Sequence, residues 1–125
     1  MSFWRTGGHR GPPLQLPLQG LLYFMVKKYR VFVRGENFLV RGDEQDQKLG
    51  FYTTVYVEAL DEQSAEFKAM ALLRADQKLI NITLNSQSNP PMLYMEEIEE
   101  LETFEGLNLP RTGFAFFTAE DSEGE

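Results

Sequence analysis

Apolar and polar positions alternate in two segments of the first half of the chain. In 28–34 the odd-numbered positions are hydrophobic, which is the period of a β-strand. Residues 51–59 show the same period with β-branched or aromatic side chains at nearly every position. This predicts a central strand packed on both faces. We expect 38–40 to continue the first strand and the polar segment 42–50 to form a loop.

A helix is predicted directly after the second strand, over 62–75. Asp61 is a suitable N-cap residue, and Glu62 and Glu66 favour the positive end of a helix. Because successive residues of a helix are rotated by about 100°, its apolar side chains form two stripes along the surface. The stripe predicted to face the sheet is Ala65, Ala69, Leu72 and Leu73. The stripe predicted to face away is Phe67, Met70 and Ala71. Phe67 then folds back over the helix end, lies under the N-terminal segment, or contacts a partner.

The second half of the chain shows less regular patterns. Residues 79–84 alternate and predict a short strand. In 92–104, apolar residues three positions apart favour a helix, but glutamates without a cation four positions away disfavour it. We predict a bulged strand, with a second helix as the alternative. With a last strand over 113–118, the order β-β-α-β-β indicates an α+β fold, a small antiparallel sheet with one main helix packed on one face.

The 125 residues correspond to one domain with two flanking segments. Residues 1–24 combine glycines and prolines with scattered leucines and predict an irregular N-terminal extension, with Met25 as the natural start. Residues 25–118 form the single α+β domain, and 119–125 form an acidic disordered tail. The extension lacks the pattern of an export signal and the length of a membrane span. We therefore expect a cytoplasmic protein with no membrane partner.

The amino-acid composition excludes several classes of catalytic mechanism. The chain has no cysteine and one histidine, His9, which lies in the N-terminal extension. Thiolate chemistry, cysteine-based metal sites and a serine-histidine mechanism are therefore excluded. No glycine-rich phosphate-binding motif occurs, and the glutamates form a continuous run rather than convergent metal ligands. We predict no catalytic residue, no metal ligand and no cofactor, which favours a binding protein over an enzyme.

Charge is distributed unevenly along the chain, whose net charge is −7. Residues 1–48 carry 8 basic and 4 acidic side chains, and 49–125 carry 4 basic and 15 acidic ones. The acids of 96–105 have no lysine or arginine among them, so we expect solvent or a partner to neutralise them. The main hypothesis is a non-catalytic module that binds another protein with a basic surface. The predicted partner-binding residues are Glu96, Glu97, Glu99, Glu100, Glu102, Phe67 and Met70.

Two other classes of function stay open on the sequence alone. A small-molecule-binding protein or enzyme could use a pocket on the sheet face, lined by Arg30, Arg34, Tyr52, Tyr56 and Glu58. Basic and aromatic residues also alternate in 27–34, as in proteins that bind single-stranded RNA, although the negative net charge opposes nucleic acid. Edge strands of the small sheet could also pair in a homodimer.

The order of elements in this short acidic chain is similar to that of small bacterial immunity and antitoxin proteins. The resemblance concerns element order and acidity only. It implies an inhibitor or accessory protein that acts by binding, which agrees with the absence of catalytic groups in the sequence.

Overall fold

The computed structural model describes residues 25–118, which form a four-stranded antiparallel sheet with the main helix on one face. The elements are β1 (Lys27–Val40), β2 (Gln47–Ala59), α1 (Glu62–Arg74), α2 (Gln77–Ile82), β3 (Met92–Leu101) and β4 (Ala115–Thr118). The strand order is β3-β1-β2-β4, so the two long strands are central. This confirms the predicted α+β fold. The predicted extension (1–24) and tail (119–125) lie outside the described residues.

The core lies between the sheet and α1. In 29–33 of β1 and 51–59 of β2 the odd-numbered side chains point toward the helix, and the register places Val31 opposite Val55 and Val33 opposite Thr53. All four are almost completely buried. Burying one of the three valine side chains contributes about 1.5–3 kcal/mol. The alternation in the sequence therefore reports the packed face of both central strands.

Helix α1 begins where the sequence predicts, because the Asp61 carboxylate accepts a hydrogen bond from the Ser64 backbone N–H at 2.8 Å. Its buried face differs from the prediction. Met70 is only 7% exposed, whereas Leu72 is 46% exposed. The buried arc is centred between Ala69 and Leu73, about 40° from the predicted centre. The flexible thioether side chain of Met70 thus belongs to the core.

The β1–β2 hairpin is longer than predicted, because β2 begins at Gln47 and shortens the expected 42–50 loop. Strand β1 continues to Val40, as expected, but its register with β2 shifts between Gly35 and Phe38. Asn37 lies in this bulge with φ 62°, a left-handed conformation that asparagine tolerates better than most residues. The bulge explains why the strict alternation of apolar residues stops at 35–37.

The predicted strand over 79–84 is wrong. Helix α2 occupies most of this segment, and only Thr83 forms a bridge, to Val40. The helix begins because the Asp76 carboxylate accepts hydrogen bonds from two backbone N–H groups, at 2.9 and 3.2 Å, and one from Arg111 Nε at 2.8 Å. Burial raises the pKa of Asp76, but these hydrogen bonds together outweigh it and lower the pKa below its ordinary value. Asp76 is therefore ionised at neutral pH.

Strand β3 is the bulged strand that the sequence favours, and the alternative helix over 92–104 is wrong. Phe32 pairs with Glu97 and Val33 with Met95, so Glu96 is the additional residue. Strand β4 is shorter than the predicted 113–118 and pairs only with the start of β2. The bulge changes which side chains of β3 point to each face of the sheet.

Candidate functional site

The even-numbered side chains of 28–34 in β1 and of 52–58 in β2 point away from α1, onto a face that no helix or strand of residues 25–118 covers. Arg30 lies opposite Tyr56, and Arg34 lies opposite Tyr52. These four side chains are half-buried. We call this surface the open face. Its side chains are Lys28, Arg30, Phe32, Arg34, Tyr52, Thr54, Tyr56, Glu58, Tyr94, Glu97, Glu99, Leu101 and Phe117.

Aromatic rings form a row across the open face. The Phe32 and Tyr52 rings are stacked, with centroids 5.4 Å apart and 5° between the ring planes. The Phe117 ring lies 5.2 Å from that of Tyr52. Gly50 makes this contact possible, because a Cβ at that position would overlap the Phe117 ring and the Gly35 carbonyl oxygen. The row joins β1, β2 and β4 into one aromatic surface.

Arg30 binds two of the glutamates of β3. Its Nε donates to Glu99 Oε1 at 2.9 Å, and its Nη2 donates to Glu97 Oε1 at 3.1 Å. The hydrogen bond to Glu99 and, next in size of effect, the one to Glu97 raise the pKa of the Arg30 guanidinium. The expectation that solvent or a partner must neutralise the acids of 96–105 is therefore wrong for these two residues. Their cation comes from the neighbouring strand.

Arg34 binds one acid of β3 and one acid of its own strand. Its Nε donates to Glu96 Oε2 at 2.6 Å, and its Nη1 donates to the carboxylate of Glu36 in β1. The guanidinium also lies 4.6 Å above the centroid of the Tyr94 ring, a cation–π contact. Because Glu96 is the bulge residue, its side chain reaches Arg34 without occupying a regular position of the strand.

The open face therefore carries mixed charge with an excess of acid. Three cations of β1 meet five carboxylates. The cations are Lys28, Arg30 and Arg34, and the carboxylates are Glu36, Glu58, Glu96, Glu97 and Glu99. Most of these pairs are partly exposed, so each contributes little to folding stability. Their main effect is to hold the long side chains of β1 and β3 in fixed positions.

The structure brings the predicted pocket residues and three of the predicted partner-binding glutamates onto one surface. The proposed pocket residues on β1 and β2 share the open face with Glu97 and Glu99, and Glu96 reaches it through Arg34. Glu100 pairs with Tyr29, whose side chain points toward the helix side of the sheet. Glu102 lies directly after the end of β3. Neither lies among the aromatic rings of the open face.

The two helix residues predicted to bind a partner have different surroundings. Met70 is buried in the core, so its assignment to a binding surface is wrong. Phe67 is 72% exposed, which contradicts the interpretation that it folds back over the helix end. It lies with Leu72 and Tyr56 beside a shallow groove of about 420 Å³. This groove shares Tyr56 and Glu58 with the open face, but the rings of Phe32, Tyr52 and Phe117 do not line it.

Sequence reasoning missed Phe32, Phe117, Phe104 and Tyr94 as members of the candidate site. The alternation of 28–34 places Phe32 on the same face as Arg30 and Arg34, but Phe32 is not among the predicted pocket residues. Phe117 requires the pairing of β4 with Gly50, and Phe104 reaches Tyr56 from the segment after β3, with ring centroids 6.0 Å apart. Neither contact has a local signal in the sequence.

A second concave feature, which we call the helix-side cavity, lies on the side of the sheet that faces the helices, opposite the open face. It has a volume of about 470 Å³ and is formed by α1, α2, β1 and the start of β3. Its apolar lining includes Phe38, Leu73, Leu79, Ile80, Met92 and Leu93, and Arg74 also contributes to its wall.

Within residues 25–118 we find no group of three histidine or acidic side chains that could hold a metal ion. In the same part of the chain, neither helix is long and apolar enough to cross a membrane. Comparison of the chain with protein-family models, with curated proteins and with solved structures gives no match.

Proposed function

We propose that this domain is a non-catalytic protein-binding module and that its partner docks on the open face. The observation that supports this best is the row of Phe32, Tyr52 and Phe117, flanked by the ion pairs of Arg30 and Arg34. Aromatic and arginine side chains are enriched in the centres of protein interfaces and carry much of their binding energy. Rings already fixed by stacking lose little conformational entropy on binding.

The charges of the open face define the chemistry of the proposed partner. Glu97 and Glu99 remain more than half exposed although both bind Arg30. With five carboxylates against three cations, the face attracts a surface that carries basic side chains around an apolar centre. Such electrostatic attraction mainly accelerates association and weakens as salt is added.

The same contacts count against the two alternative functions. A phosphate of RNA needs free cations, but Arg30 and Arg34 are each bound to two carboxylates. An anionic small molecule on this face would have to displace one of those glutamates. A protein surface can instead add basic groups at the outer edge of the carboxylates and leave the existing ion pairs intact.

Reversal of charge on β3 and at Glu102 directly after it should strongly weaken partner binding. The test variant combines Glu97→Lys, Glu99→Lys and Glu102→Lys, and the control combines Asp43→Lys, Glu44→Lys and Asp46→Lys in the exposed hairpin loop. Both triple variants change the net charge equally. We expect the control to retain a partner captured from the native host by cross-linking, and the test variant to bind it at least tenfold more weakly at low salt. Circular dichroism and thermal unfolding should show folded protein in both cases, since the altered carboxylates are exposed.

Equal loss of binding in both variants would show that only the overall charge matters. Unchanged affinity in both would mean that the β3 acids serve solubility, and the binding surface would then be sought at Phe67. Either result contradicts the proposal.

A further inference from the structure

The helix-side cavity is separate from the open face and has no role in the proposed function. Its volume of about 470 Å³ lies in the range of small-molecule sites, which are about 300–1,000 Å³. Phe38, Leu73 and Leu79 are buried residues of the core that also border this space. The cavity therefore continues the hydrophobic core toward the surface.

Hydrogen bonds away from the lining hold the walls of this cavity in place. Asn85 accepts from the Leu39 N–H at 2.8 Å and donates to the carbonyl oxygens of Asn37 and Asn89 at 2.8 and 2.9 Å. These bonds fix the segment that leads into Pro91 and β3. Asp76 fixes the start of α2 on the opposite side. Because both walls are anchored, the site is formed before any ligand binds.

The rim of the helix-side cavity combines apolar side chains with one cation. Ile80 and Met92 are 51% and 46% exposed, so apolar surface at the opening remains in contact with water. Arg74 lies in the last turn of α1, and within residues 25–118 no carboxylate forms a salt bridge with it. An apolar space beside a free guanidinium is complementary to an amphipathic anion.

We propose that the helix-side cavity binds a small aliphatic carboxylate. The hydrocarbon chain lies among Leu73, Leu79 and Leu93, where its burial removes apolar surface from water. The carboxylate lies at the rim, where Arg74 binds it through two parallel N–H donors. A single cation beside a concave space fits one anionic head group better than a broad acidic protein surface.

The experiment uses the full chain and two probes of equal chain length, octanoate and octanol, both below the concentration at which octanoate forms micelles. Methyl NMR follows the leucine and isoleucine residues of the cavity. We expect saturable shifts of Leu79, Ile80 and Leu93 with both probes. Arg74→Gln should weaken octanoate binding about threefold to fivefold, as expected for one exposed ion pair, and should leave octanol binding unchanged.

Lys78→Gln is the matched control, because it removes one positive charge from α2 at a residue that does not line the cavity. It should change the affinity for neither probe. Equal weakening of octanoate by Arg74→Gln and Lys78→Gln would overturn the assignment to Arg74, because it would indicate attraction by overall charge. Unchanged octanoate binding in Arg74→Gln would overturn the proposed carboxylate site, and the absence of saturable shifts in the cavity methyls would overturn the ligand site as a whole.

Discussion

Val55→Asp should unfold most of the protein at neutral pH. Val55 is 1% exposed and pairs with Val31 in the neighbouring central strand. Its side chain lies in the core between the sheet and α1. Arg111 bridges to Val55 from the neighbouring segment, but its guanidinium already binds Asp76 at 2.8 Å. A carboxylate at position 55 would therefore be buried without a cation of its own. Its burial costs several kcal/mol, against a total stability of about 5–15 kcal/mol for a domain of this kind. Urea denaturation followed by circular dichroism measures the loss.

Thr54→Asp is the control for Val55→Asp, because Thr54 is the adjacent residue of β2 and its side chain points to the open face. A carboxylate there reaches water, so this variant should remain folded with a much smaller loss of stability. If Val55→Asp were as stable as Thr54→Asp, the assignment of the two faces of β2 would be wrong by one residue.

Phe51→Ala should cost about 3–5 kcal/mol of folding stability, the range for removing a fully buried aromatic ring. Phe51 is completely buried, and its ring centroid lies 5.0 Å from that of Phe38, 4.9 Å from that of Phe114 and 6.0 Å from that of Phe116. This cluster joins β1 to the C-terminal part of the domain. We expect the midpoint of urea denaturation to fall and β4 to lose protection from amide hydrogen exchange first.

Phe67→Ala provides a matched control with the same change of side chain. Because Phe67 is exposed on α1, its removal should alter stability by about 0.5 kcal/mol or less. Similar losses in the two variants would show that Phe51 does not anchor the aromatic cluster, and the packing described for β4 would be contradicted.

Local signals in the sequence account for most of the fold. Alternation identifies β1 and β2 because their two faces have different surroundings, and Asp61 identifies the start of α1 because its carboxylate caps the helix. Helix α2 could not be identified in this way. Ile80 and Ile82 alternate as in a strand, whereas the helix depends on Asp76, whose carboxylate also binds the distant Arg111. The rotation of α1 that buries Met70 likewise depends on tertiary packing.

The candidate site depends on register, which the sequence does not contain. The glutamates of β3 look unpaired along the chain because Arg30 and Arg34 are more than 60 residues away. The bulge at Glu96 also shifts the phase of the strand, so that Glu97 and Glu99 face Arg30 while Glu100 points to the other side. The sequence therefore predicts which types of residue form the site. It does not predict which of these residues lie next to each other.

The most direct test of the open face as the binding surface is an NMR footprint of the folded protein, recorded with and without the captured partner. We predict that the ring resonances of Phe32, Tyr52 and Phe117 and the Nε–H resonances of Arg30 and Arg34 shift or broaden on binding. As salt is added, a higher concentration of partner should be needed to produce the same shifts. Shifts confined to α1 around Phe67, with the aromatic row unchanged, would contradict the proposed binding surface.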